Sequence, residues 1–178
     1  MKRSIRILSL SLLLSAVWSG VSFAQPKSVS SIWSLNGIGL GYEHHMDGQS
    51  FIQADLRAEM TEVFINRKGK AGATASFTWN LVFARKVSRN GNTIRYFAGP
   101  GAIAGVANDL KAPYGGIFGF KGRLGMECSF ERHITLSLCI APILGMHTSR
   151  KEDIVNMRLY RNGLIYGLLP EIGIKYAF

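Results

Sequence analysis

The chain has 178 residues, with 21 Lys and Arg against 11 Asp and Glu and a formal net charge of +10. That length fits one domain with a sizeable core. No apolar run approaches the ~20 residues that a membrane-spanning helix needs. A basic balance ordinarily raises nucleic acid as a partner, but the first residues turn the argument elsewhere.

Lys2, Arg3 and Arg6 precede a short, mostly apolar run from Ile7 to Val17, and Ser22-Phe23-Ala24 then supplies small residues where a signal peptidase reads. This pattern predicts a signal peptide over 1–24, cleaved after Ala24, and a single mature domain over 25–178. Loss of the three leading bases leaves 18 against 11 acids, an excess of +7. For an exported protein the fitting counter-charge is anionic lipid phosphate, and nucleic acid is not expected.

The recurrent pattern after Gln25 has a period of two. Ile38, Leu40 and Tyr42 alternate with Gly37, Gly39, Gly41 and Glu43. Ile52, Ala54, Leu56, Ala58 and Met60 alternate with Gln53, Asp55, Arg57 and Glu59. Further on, Phe77, Trp79, Leu81 and Phe83 oppose Ser76, Thr78 and Asn80, and Ile94, Tyr96 and Ala98 oppose Arg95, Gly99 and Gly101. Phe118, Phe120, Leu124 and Met126 oppose Gly119, Lys121, Arg123 and Glu127, and Ile134, Leu136 and Leu138 oppose Thr135 and Ser137, as Leu144 does Gly145 and His147. The last fifteen residues, Leu164 to Phe178, carry Ile172, Ile174, Tyr176 and Phe178 on one face and Glu171, Gly173 and Lys175 on the other. Such sustained alternation marks strands between two different environments.

Asp47-Gly48, Asn90-Gly91 and Glu131-Arg132-His133 read as short turns. Thr61 to Gly72, Ala107 to Gly115 and Thr148 to Asn162 read as longer polar loops. Short turns at one end and long loops at the other is the asymmetry of an outer-membrane barrel. Seven strands are plain, and single-chain bacterial barrels have an even number. The eighth falls within Ser28 to Leu35 or Ile154 to Tyr160. The fold class is therefore all-β, a closed antiparallel transmembrane up-and-down barrel of eight strands.

The glycines orient it. They crowd the polar face, where a solvated surface has no use for residues that weaken a strand. A narrow lumen needs them to leave space for long charged side chains. The bulky apolar face then looks at lipid, the reverse of a soluble lipocalin-like barrel. Glu43, Asp55, Arg57, Glu59, Lys121, Arg123, Glu127, Glu171 and Lys175 share the inner face and are expected to form a charge network that plugs the lumen. A narrow channel lined by the same charges is the alternative. By the same parity Cys128 faces lipid and Cys139 the interior, which forbids disulfide geometry and predicts two free thiols.

The alternating strands and terminal Tyr176-Ala177-Phe178 resemble the small eight-stranded OmpA-like and OmpX-like barrels of Gram-negative outer membranes. The stretch Tyr96-Phe97-Ala98-Gly99-Pro100-Gly101 and Gly41-Tyr42-Glu43 are similar to porin-family barrels of the Bacteroidota. The resemblance implies that Tyr176 and Phe178 are read by the barrel-assembly machinery, and that the protein is a monomer among outer-membrane lipid and lipopolysaccharide. His147-Thr148-Ser149 is similar to the H-x-S spacing of PagL-type lipid A deacylases, which implies a hydrolase using His147 and Ser149. Here Arg150 replaces the Asn that follows in that family, and no carboxylate is fixed beside the pair.

His44, His45 and Asp47 could suggest a metal, but neighbouring strand residues point to opposite faces. No metal or cofactor is expected. Arg67, Lys68 and Lys70 in the first long loop, and Arg150, Lys151, Arg158 and Arg161 in the last, make the outer rim basic. Lipopolysaccharide phosphates are suitable acceptors for such groups.

Overall fold

A computed structural model describes residues 27–60, 71–88, 91–109, 112–130, 133–151 and 154–178. The expected signal peptide 1–24, with Arg67, Lys68 and Lys70, lies outside the described residues. The chain folds through β1 (Lys27–Ser34), β2 (Gly37–His45), β3 (Ser50–Glu59), β4 (Gly72–Val87), β5 (Thr93–Asp109), β6 (Ala112–Phe130), β7 (Ile134–Ile140), β8 (Ile143–Lys151), β9 (Ile154–Leu159), α1 (Arg161–Gly167) and β10 (Glu171–Ala177).

Ten hydrogen-bonded segments make eight staves. β7 and β8 hold one register on β6, with Leu124 opposite Ile140 and Gly116 opposite Thr148. They are one strand interrupted at Ala141-Pro142, where proline has no N–H to give the ladder. β9 pairs with β8 and β10 with β7, so these two form the last stave. The pairing of β10 with β1 and of β5 with β6 closes the antiparallel ring.

Both candidates for the hidden strand are strands. Ser28 to Leu35 supplies β1, and Ile154 to Tyr160 supplies β9, the upper piece of the last stave. Three expectations are corrected. The alternation from Leu164 does not make one strand to Phe178: residues 161–167 are helical and only Glu171–Ala177 is extended. The cause is a count. Leu159 opposes Met146 and Glu171 opposes Cys139, so the eleven residues 160–170 face only the six residues 140–145. A matched strand cannot absorb five extra residues, whereas a short helix shortens the path, because it rises ~1.5 Å per residue against ~3.3 Å. The insert is pinned at both ends, by the Tyr160 amide on Gly145 O at 2.8 Å and the Ala141 amide on Gly167 O at 2.8 Å.

The other two corrections concern loops. Ala107 to Gly115 is mostly strand, because β5 runs to Asp109 and β6 starts at Ala112. Thr148 to Asn162 is likewise taken up by the end of β8, all of β9 and the start of α1. Polar composition there reflects a rim rising above the apolar band, not an absence of pairing.

Trp79 and Phe118 are each 48% exposed and Leu138 46%, while Lys121 is 1% exposed. Grease outside and charge inside is the inverse of a water-soluble barrel. Gly41 illustrates why one face is glycine-rich: a Cβ there would stand 2.7 Å from Asp55 Oδ1 and 2.4 Å from Ser30 Oγ. Cys139 is buried and Cys128 partly exposed, and both thiols are free.

At the terminus-bearing end, Asp47 holds the β2–β3 turn. Its Oδ1 accepts from the Gln49 amide at 2.8 Å and the Ser50 hydroxyl at 2.9 Å. These bonds, the Gln49 amide first, keep its carboxyl below the usual range. A depressed carboxylate contributes above its unfolded pKa and stops doing so as pH falls through the folded value. Hydrogen exchange should therefore find the Gln49 and Ser50 amides protected at neutral pH. That protection should be lost in acid, and in Asp47→Ala at any pH.

Candidate functional site

The inward positions of the strands stack their charges in two layers. In the layer nearer the termini, Glu43 on β2 accepts from Arg95 Nη2 at 2.6 Å, from His45 Nε2 at 2.8 Å and from Lys175 Nζ. Glu127 on β6 takes the other sides of Arg95 and Lys175. Two acids and two bases from four staves thus close a ring across the lumen.

The second layer sits farther from the termini. Asp55 accepts from Lys121 Nζ at 3.0 Å and lies 3.7 Å from Arg57, which also grips Glu171 with both Nη atoms. Lys121 also donates to Ser76 Oγ at 2.8 Å. Arg123 donates to Gln53 and to Cys139 Sγ at 3.3 Å, and Gln53 passes a bond on to Asp55 at 2.6 Å. Glu59, one turn of the pleat higher, accepts from Thr74 at 3.1 Å.

Between the layers lies an apolar plate of Phe51, Phe97 and Cys139, all buried. The two rings meet edge to face at 5.4 Å. Arg95 lies over Phe51 at 4.7 Å and Arg123 over Phe97 at 5.2 Å, so each guanidinium also has an aromatic face to rest on. Beyond the second layer, Ile103, Ala107, Ile117, Ile143 and Tyr160 form another apolar cluster.

All nine charged residues singled out from the sequence therefore occupy one interior. The reading of the sequence missed Arg95, His45, Gln53 and both phenylalanines. The signal was there. Arg95 and Phe97 share parity with Gly99 and Gly101, and Phe51 shares parity with Gln53 and Asp55. Adding Arg95 brings the bases to five, against the five acids Glu43, Asp55, Glu59, Glu127 and Glu171.

The remaining candidates fall elsewhere. His147 is fully buried in the apolar cluster, where its Nε2 lies 3.1 Å from Ala107 O and its ring stacks on Tyr160 at 6.4 Å. Its Nδ1 has no hydrogen-bond partner. Ser149 is buried too, facing the same side two residues on. Nucleophilic catalysis needs a base bonded to the hydroxyl and oriented by a third group; among the described residues neither nitrogen of His147 meets Ser149 or a carboxylate. His45 turns to Glu43 and Phe51, whereas His44 pairs with the outward Ile52, so the two histidines diverge. Tyr176 is exposed on the outer face and stacks on His133 at 5.8 Å, and the Phe178 amide donates to Lys27 O at 2.9 Å.

A closed antiparallel barrel with an apolar exterior and an ion-paired interior is thus the class of molecule this chain forms. No protein-family model matches the chain, and no curated protein does. Among solved structures it is similar to two of Ail, the attachment invasion locus protein of Yersinia pestis. One is a complex with the heparin analogue sucrose octasulfate, at 9% identity and a TM-score of 0.36, covering 88% of this chain and 100% of that one. The other has 9% identity and a TM-score of 0.32, covering 86% of this chain and 95% of that one. The barrel's own side chains, rather than so distant a likeness, define what its interior can do.

Proposed function

We propose that this protein is an outer-membrane β-barrel whose lumen is plugged by its own charges. Its role would be structural or interactive, exercised at the rim remote from the termini. The observation that carries the reading is the inversion of side chains, with Trp79, Phe118 and Leu138 outside and Lys121 inside. Hydrocarbon is the solvent such an exterior calls for, and a bacterial outer membrane is where barrels meet it. Two ionic layers and a phenylalanine plate fill an eight-stave interior that is only just wide enough for side chains. That favours a plug over a narrow channel.

The surroundings follow from the location. Outer-membrane lipid and lipopolysaccharide are the proposed partners, with exposed Arg158 and Arg161 as donors to phosphate. Tyr176 and Phe178 would serve the barrel-assembly machinery, and the working unit would be a monomer. Fractionation should leave the protein in outer membranes until detergent is added, with gel mobility that changes on heating. Purified protein in planar bilayers should hold no steady current. Recovery from the soluble fraction would overturn the location, and sustained conductance would overturn the plug.

A further inference from the structure

At the terminus-bearing end the lumen opens into a cavity of about 530 Å³, within the ~300–1,000 Å³ of small-molecule sites. Its floor is the first ionic layer, and the groups there are already committed. Glu43 is held by Arg95, Lys175 and His45, and the two cations also serve Glu127. Asp47 on the wall gives its Oδ1 to Gln49 and Ser50.

What the cavity has to spare is donors. Lys27 and Arg85 both line it, and among the described residues neither has a carboxylate within ion-pair distance. The Ser28 hydroxyl, on a residue 6% exposed, lines the same space with no hydrogen-bond partner. Four bases and two acids form the charged lining, apart from His45. A cation would meet more bases than acids, with Asp47 Oδ2 the one carboxylate oxygen of the lining left without a bond among the described residues. A neutral polyol could bond the lining hydroxyls but would leave the charges of Lys27 and Arg85 uncompensated. An oxyanion offers only acceptors, and its bonds to ionised donors are the stronger kind.

We infer that this mouth binds a small solute bearing carboxylate or phosphate, held by Lys27, Arg85 and the Ser28 hydroxyl. The site is independent of the role proposed for the opposite rim. It also leaves the lumen closed, since the floor of ion pairs lies beneath the ligand.

Calorimetry on the purified full barrel in nanodiscs at low ionic strength tests this, with inorganic phosphate and citrate as separate probes. Saturable binding of at least one is expected, and which one binds assigns the phosphate or the carboxylate class. Lys27→Gln with Arg85→Gln should weaken it at least about tenfold, the scale of losing charge-assisted hydrogen bonds. Ser28→Ala, which keeps the charge, should weaken it several-fold. Lys86→Gln removes an equal charge from the neighbouring position outside the cavity and should leave binding unchanged. Heat-modifiable mobility checks that each variant is folded, and Ser28→Ala carries the test alone if the double variant is not. Absence of saturable binding by both probes would overturn the site. So would binding that persists in the lining variants or is lost in Lys86→Gln.

Discussion

Replacing Arg57 with Met is expected to destabilise the barrel by about 3–5 kcal/mol, the usual cost of leaving one member of a buried ion pair alone. Arg57 meets Glu171 through both Nη atoms, 2.7 Å for the pair given by Nη2 and Oε2, and its side chain is 8% exposed. Among the described residues Glu171 has no second guanidinium bonded to it, and its other bonded neighbour is the Cys139 thiol at 3.9 Å. Without Arg57 the carboxylate must desolvate alone, take a proton or admit water. Adding Glu171→Gln to Arg57→Met should recover most of the loss, since a neutral amide is cheaper to bury than an unpaired charge. Urea unfolding in lipid vesicles, followed by tryptophan fluorescence, measures both variants. A single-variant loss under ~1 kcal/mol, the scale of exposed pairs, would mean that the pair is solvated and the lumen wet.

That experiment bears on which parts of the molecule could be read from sequence. Face assignment needs only parity, so Asp55, Arg57 and Glu59 could be assigned to one interior with no knowledge of what each would touch. Partners could not be read, because the bonds cross the barrel: Arg57 and Glu171 are 114 positions apart, and Lys175 and Glu43 are 132. Which inward residues meet depends on stagger between staves, a property of the closed ring and not of any one strand.

Parity alone also puts two bulky rings inside. Phe51 and Phe97 stand at inward positions, but phenylalanine on a membrane barrel invites an outward assignment. Here two rings fit because three cations and an imidazole ring stand around them: Arg95, Lys175 and the His45 ring at Phe51, and Arg123 at Phe97. The helix was hidden for a different reason. Leu164, Tyr166 and Leu168 keep a period of two, so nothing local forbids a strand. The five-residue surplus against residues 140–145 appears only once both neighbours are in register. Polar composition likewise concealed the strand ends around Asp109 and β9, since a rim above the membrane can be both polar and hydrogen-bonded.

The orientation of the wall has its own consequence. Phe120 is 75% exposed on the outer face of β6, next in sequence to Lys121 at 1%. If hydrocarbon surrounds the barrel, Phe120→Arg should cost ~2–4 kcal/mol in bilayers, the range for a cation near the midplane of a barrel's lipid face. Ile134, 49% exposed on the outer face, starts β7 near the terminus-bearing rim. Ile134→Arg should cost only ~0–1 kcal/mol, because headgroups and water reach that height. The difference between the two is the diagnostic, since it cancels strand propensity and the generic effects of adding arginine. Unfolding of both variants in vesicles of one lipid composition measures it, and Phe120→Leu serves as the apolar control. A barrel standing in water would accept arginine at either position for within about 0.5 kcal/mol, as exposed surface sites generally do. Equal and small costs at Ile134 and Phe120 would therefore remove the membrane from around this wall, and with it the reason for so apolar an exterior.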